Sequence, residues 1–116
     1  MMNGQQYMES LKARRRRVFY KGERLAKPYD HPAIAPHLRT AATTYDLARD
    51  ERHAEVMTAV SHLTGDRVSR FTHLFWSVAD LVKKIEMLRL LGQTTGTCFQ
   101  RCVGLDGLNA IWSVRF

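Results

Sequence analysis

Ser77-Val78-Ala79-Asp80-Leu81-Val82-Lys83-Lys84-Ile85-Glu86-Met87-Leu88-Arg89-Leu90-Leu91-Gly92 is the stretch that sets the fold class. Val78, Leu81, Val82, Ile85, Leu88 and Gly92 recur at the three- and four-residue spacing of one helical face. Ser77 stands three residues before Asp80, the arrangement of a capping box with Asp where Glu is usual, so the helix has a defined start. It is the longest helix the sequence specifies. Gly92 and Gly96 are placed to kink or end it, and glycine there also lets a backbone approach a bulky cofactor closely.

Toward the amino terminus the elements are shorter. Tyr7, Met8 and Leu11 repeat at helical spacing, and that first helix must end near the basic run Lys12-Ala13-Arg14-Arg15-Arg16-Arg17. Val18 to Tyr20 and Glu23 to Leu25 flank Lys21-Gly22 as a hairpin. Pro28, Pro32 and Pro36 keep the chain extended or looping until a helix starts at Pro36 or His37. Leu38, Ala41, Ala42, Tyr45 and Ala48 form its core stripe, and Asp50-Glu51-Arg52 marks a solvated end. The apolar stretch Val56-Met57-Thr58-Ala59-Val60, broken by Thr64-Gly65-Asp66 before Arg67-Val68-Ser69, predicts a second hairpin. Trp76 and Trp112 are expected as packing anchors. His31, His37, His53, His62 and His73 show no tight ligand spacing and are expected mostly on the surface or in loops, with His31-Pro32 serving a turn.

Composition fits a soluble globular chain of one domain: 45% hydrophobic, 25% charged, 116 residues. No apolar run approaches a membrane span and no signal-peptide pattern opens the chain, so the default compartment is cytoplasmic, where thiols stay reduced. The net charge of +7 and the arginine run raise nucleic acid as a partner, but neither a recognition helix nor a zinc module accompanies them. A helix end followed by a hairpin is the simpler account of the run. A phosphorylated ligand such as CoA, or an acidic surface of a further domain, is the other.

The only thiols are Cys98 and Cys102, in Thr97-Cys98-Phe99-Gln100-Arg101-Cys102-Val103-Gly104. On a helix, residues at i and i+4 share a face with β-carbons about 5–6 Å apart, so both sulfurs would reach one metal cluster. Three intervening residues separate the pair from a redox C-x-x-C motif, and a closed zinc site would need two more ligands. Iron–sulfur clusters accept such incomplete local sets, whereas two small apolar thiols on a core-facing helix are also ordinary packing residues. Gln100 points away from the cysteine face. Arg89 lies about three turns upstream of Cys102 on what reads as the same helical stretch. Taken alone, Arg89 is a solvated charge and Gln100 a surface amide.

Met87-Leu88-Arg89-Leu90-Leu91-Gly92-Gln93-Thr94, followed by Cys98-Phe99-Gln100-Arg101-Cys102-Val103-Gly104-Leu105-Asp106, resembles the 4-hydroxybutyryl-CoA dehydratase family. The resemblance runs through almost the whole chain, including Gln6-Tyr7-Met8-Glu9-Ser10-Leu11, Arg17-Val18-Phe19-Tyr20-Lys21-Gly22-Glu23, His31-Pro32-Ala33-Ile34, Thr44-Tyr45-Asp46-Leu47-Ala48 and Thr64-Gly65-Asp66-Arg67-Val68. That family groups with the flavin-dependent 4-hydroxyphenylacetate 3-monooxygenases (the 4-hydroxyphenylacetate 3-hydroxylase family), which carry no iron–sulfur cluster.

The resemblance implies a mainly α fold with short β-hairpins, similar to the amino-terminal helical domain of the acyl-CoA dehydrogenase-like fold. It implies one domain over 1–116, with a helix-plus-hairpin arm at 1–30 and a helical body at 31–116, and with the family's middle β and carboxy-terminal helical domains absent. It further implies FAD and a [4Fe-4S] cluster, with Cys98 and Cys102 matching two of four cluster ligands, and a His and a Cys supplied from elsewhere. Equivalents of Arg89 and Gln100 line the substrate cavity. The implied reaction is dehydration of 4-hydroxybutyryl-CoA to crotonyl-CoA, with isomerisation of vinylacetyl-CoA, on an acyl-CoA substrate in a tetramer-like homo-oligomer. The isolated chain is expected to be inactive and, with apolar helix faces bared, to self-associate. The alternatives are the matching segment of a 4-hydroxyphenylacetate 3-monooxygenase and a small non-catalytic binding or assembly protein.

Overall fold

Asn3 opens the first helix by a capping box. Its Oδ1 accepts from the Gln6 N–H at 2.8 Å, and Gln6 Oε1 accepts from the Asn3 N–H at 2.9 Å. The computed structural model describes residues 1–14, 16–97 and 101–114. The chain is mainly helical with two small antiparallel hairpins, and it divides into two compact units, Met2–Asp46 and the chain from Leu47 onward together with Met1.

In the first unit, helix α1 (Gly4–Ala13) stops before the basic run, where Arg14 takes an extended conformation. Strands β1 (Phe19–Tyr20) and β2 (Glu23–Arg24) pair with Phe19 opposite Arg24 and Tyr20 opposite Glu23. Lys21 and Gly22 join them with φ of 49° and 84°, the two positive values of a type I′ turn. A 3₁₀ turn, Pro28–Asp30, follows. His31 then takes the turn role expected of it: its Nδ1 accepts from the Ala33 N–H at 3.2 Å, and its carbonyl accepts from Ile34 and Ala35 as helix α2 (Ala35–Leu47) begins. Asp46, near the end of α2, accepts from the Gly4 N–H at 2.8 Å, satisfying a first-turn donor that α1 cannot pair internally. A Cβ on residue 4 would stand 2.5 Å from Asp46 Oδ2 and 2.8 Å from the Ala42 carbonyl, so this approach requires glycine. Tyr7 and Tyr45 stack beside it, with centroids 4.7 Å apart.

In the second unit, Ala48, Met57, Met87, Leu91 and Leu105 form the buried core. A single turn, α3 (Ala54–Met57), leads into β3 (Thr58–Val60), which pairs with β4 (Arg67–Ser69) so that Ala59 faces Val68. The second hairpin is therefore shorter than its apolar stretch. Val56 and Met57 close α3 instead of opening a strand, because the Met57 N–H bonds the His53 carbonyl at 2.8 Å and the helical turn puts the Met57 side chain fully inside.

Helix α4 (Val78–Thr95) starts as its sequence specifies. Ser77 Oγ accepts from the Asp80 N–H at 3.2 Å, and Asp80 Oδ2 accepts from the Ser77 N–H at 3.0 Å. The helix runs through Gly92 and ends at Gly96, whose φ of 65° lets its N–H return to the Gly92 carbonyl at 2.9 Å. Helix α5 (Arg101–Ser113) follows.

Two expectations are corrected here. Trp76 is 77% exposed and lies against the exposed His62 ring at 4.7 Å, so it anchors no core; it immediately precedes the Ser77 cap, outside the helix. His73 is buried at 4% exposure, held by a polar cluster described below. No described helix is long and apolar enough to cross a membrane.

Candidate functional site

Arg89, on α4, is exposed and forms no ion pair with a described residue. Cys102 falls in the first turn of α5, while Cys98 and Gln100 lie outside the described residues. The expectation that Arg89 and Cys102 share one helical stretch is corrected: Gly96 in the left-handed region ends α4 at Thr95, and α5 begins anew at Arg101. The two residues therefore lie on separate helices.

The placement of the cysteine-bearing helix rests on three side chains of α5. Leu105 is 2% exposed in the core. Asp106 pairs with Lys84 of α4, whose ammonium also lies 5.7 Å from the Phe75 ring centre. Asn109 Oδ1 accepts from the Phe75 N–H at 2.7 Å, and its amide nitrogen donates to the His73 and Leu105 carbonyls at 3.2 Å. Asn109 thereby ties α5 to the segment leading into α4. None of these three was singled out from the sequence. The one available signal is a lone amide among Leu108, Ala110 and Ile111, a polar residue that burial obliges to find partners.

That segment contains a second feature the sequence concealed. Arg70 is 4% exposed; its Nε donates to the Val56 carbonyl at 2.7 Å, and Nη2 donates to Glu55 at 2.9 Å and to Thr58. These carbonyls lie at the end of α3, so a buried guanidinium completes that turn and its junction with β3. Asp80 Oδ1 lies 3.1 Å from His73 Nε2 and 3.8 Å from Arg70 Nη1, while Oδ2 accepts from the Trp76 and Ser77 N–H groups. Burial pushes the Arg70 pKa down, and the Asp80 carboxylate opposes that shift. For Asp80 burial acts upward, but the hydrogen bonds from Trp76 and Ser77 and the neighbouring His73 outweigh it and hold its pKa below the ordinary value. His73 Nδ1 is buried without a hydrogen-bond partner among the described residues, and His73 lines an apolar cavity of about 400 Å³ with Leu63, Phe71, Leu108 and Trp112. The cluster holds α3, β3 and the start of α4 in register.

Among the described residues no group of three or more His, Cys, Asp or Glu is placed to hold a metal ion.

Similarity to known proteins covers the full chain. A 4-hydroxybutyryl-CoA dehydratase/vinylacetyl-CoA-Δ-isomerase of Clostridium aminobutyricum is 46% identical over 116 residues, which is 100% of this chain and 24% of that protein. Among solved structures, an oxygen-tolerant archaeal 4-hydroxybutyryl-CoA dehydratase from N. maritimus superposes with a TM-score of 0.84 at 48% identity, covering 92% of this chain and 21% of that one. The oxygenase component of a 4-hydroxyphenylacetate 3-monooxygenase complexed with FAD superposes at 0.68 with 31% identity, covering 81% and 19%. The chain thus spans about a quarter of the length of the relatives it matches. Residues 3–116 match the family described as 4-hydroxyphenylacetate 3-hydroxylase, N terminal, and the chain belongs to that family.

Proposed function

We propose that this chain is the amino-terminal part of a 4-hydroxybutyryl-CoA dehydratase that also isomerises vinylacetyl-CoA, built on an acyl-CoA dehydrogenase-like scaffold. The observation that carries this reading is the 46% identity to such an enzyme across every residue of the chain, the cysteine pair included in the matched span. Residues 1–30 are its arm and 31–116 its helical body. Cys98 and Cys102 supply two thiolates to a [4Fe-4S] cluster, and two further ligands come from outside this chain. When bound, flavin supplies one-electron chemistry and the cluster a Lewis-acidic iron. Arg89 donates from its guanidinium to a substrate carbonyl or hydroxyl oxygen, and the Gln100 amide forms a second hydrogen bond to the substrate. With half a ligand set, the chain alone is inactive.

A second reading, the matching segment of a flavin-dependent 4-hydroxyphenylacetate 3-monooxygenase, is supported by the oxygenase superposition at 0.68. The lower identity, 31% against 48%, favours the dehydratase. Anaerobic reconstitution with iron and sulfide separates them, using the chain and a Cys98→Ala/Cys102→Ala variant, each combined with the downstream part of a family-length chain. The expected result is iron bound, visible absorption and dehydration of 4-hydroxybutyryl-CoA with the wild-type pair only. Equal iron in the variant would remove the dehydratase reading.

A further inference from the structure

We propose that the basic groove at the end of α1 binds an oligophosphate, two or more phosphate groups in a row as in a nucleotide diphosphate. The groove has a volume of about 450 Å³ and lies between the carboxy-terminal end of α1, the residues just after it, and the wall formed by β2 and the Pro28–Asp30 turn. Lys12, Arg14, Arg16 and Arg24 line it, with Leu25 and Tyr29 among the remaining lining residues and no carboxylate among them. All four cations are exposed, and none pairs with a carboxylate among the described residues.

The fold accounts for only part of this charge. A helix end stabilises cations in its last turn, by about 0.3–1 kcal/mol each, and Lys12 and Arg14 fit that role. Arg16 lies beyond the helix and Arg24 comes from β2, so their convergence on one groove adds like-charge repulsion, and no described carboxylate forms an ion pair with either. A ligand bearing several negative charges offsets it. The concave shape favours a small polyanion over a flat acidic protein face, because several guanidinium groups lining one groove can each grip phosphate oxygens bidentately.

The walls are also tied together without a ligand. The Tyr29 hydroxyl donates to the Leu11 carbonyl at 2.6 Å, the Arg16 N–H to the Arg14 carbonyl at 2.6 Å, and the Leu25 N–H to the Val18 carbonyl at 2.9 Å. The Tyr29 bond ties the Pro28–Asp30 turn to the end of α1, which reduces the ordering cost of binding between them. Single-stranded nucleic acid would want a row of free stacking rings, and here the Tyr29 hydroxyl is turned to the α1 end and Tyr20 packs on His31 at 4.9 Å, which leaves the exposed Phe19 as a single ring. The inference is independent of the dehydratase reading.

The test is calorimetric titration of the 116-residue chain with inorganic pyrophosphate and with orthophosphate at equal ionic strength, with amide shifts followed by NMR. Pyrophosphate should bind at least about tenfold more tightly than orthophosphate, moving the amides of Arg14, Arg24 and Tyr29. Arg14→Gln/Arg24→Gln should weaken it by at least about tenfold, whereas Lys21→Gln/Arg39→Gln, an equal charge loss outside the groove, should weaken it by less than about threefold. Competition by ADP would assign the phosphates to a nucleotide; capture on phosphoinositide vesicles with ADP silent would assign them to a lipid headgroup, and both uphold the chemistry. Pyrophosphate binding no tighter than orthophosphate, equal binding by the groove variant, or RNA binding that pyrophosphate does not displace would overturn it.

Discussion

The two sides of α4 carry similar residues and meet different surroundings. On one side Met87 and Leu91 are 0% and 1% exposed, and Asp80 and Lys84 point the same way into ion pairs. On the other, Val78, Leu81, Val82 and Ile85 are 46–77% exposed. Periodicity is therefore evidence for a helix, while the choice of buried side is made by the partners available. Here the available partners are Met57 of α3, Phe71 and Phe75 of the segment leading into α4, and Leu105 of α5, and they cover the Met87 side.

Substitution on the covered side should have the largest effect. Met87→Ala leaves a cavity in a site with no solvent access, and should lower unfolding free energy by about 2–5 kcal/mol in urea titration. A loss under 1 kcal/mol would mean that the two sides of α4 do not differ as their burial indicates.

Asp80→Ala should follow, at about 1.5–3 kcal/mol, since it strands the buried Arg70 and His73 and removes the acceptor at the α4 cap. Its pH dependence has a definite sign. The folded carboxyl has a lowered pKa, so its contribution is fully present above the unfolded value of about 3.9 and is lost as pH falls through the folded value. The difference between wild type and Asp80→Ala should thus shrink below about pH 4 and stay constant above about pH 5. Ser77→Ala keeps Asp80 but removes one cap acceptor and the hydroxyl that donates to Asp80 Oδ2 at 3.0 Å, with an expected loss of about 1 kcal/mol and a smaller pH dependence of the same sign.

The local features were legible in the sequence, and those set by distant partners were not. The Ser77 cap, the Lys21-Gly22 turn and the His31 turn each depend on a few consecutive residues whose chemistry admits one backbone solution. His73 depends on Asp80 and Asn109, and Met57 joins a core with Leu105 from 48 residues on (105 − 57), so no local pattern announces their burial. Trp76 misled for the opposite reason: a large aromatic implies a core, yet among the described residues its ring contact is the exposed His62. Of the candidate site, the cysteine spacing was visible at once. The break between the helices of Arg89 and Cys102 turned on which of two glycines would end α4, and Gly96 does so by adopting φ of 65°.

The exposed side of α4 should give the smallest change in stability and the clearest change in association. Val82 and Ile85 are 50% and 58% exposed, so Val82→Ser/Ile85→Ser removes little buried surface and should alter unfolding free energy by less than about 0.5 kcal/mol. Exposed apolar side chains on one helix side nonetheless remain in water, and Arg89, four residues beyond Ile85, follows them along it. If that surface drives the self-association expected of this chain, sedimentation velocity should show the wild type shifting to larger species with concentration while the double variant stays monomeric. Identical sedimentation of the two proteins would show that apolar exposure on α4 is tolerated in water, and that its contrast with the Met87 side concerns folding alone.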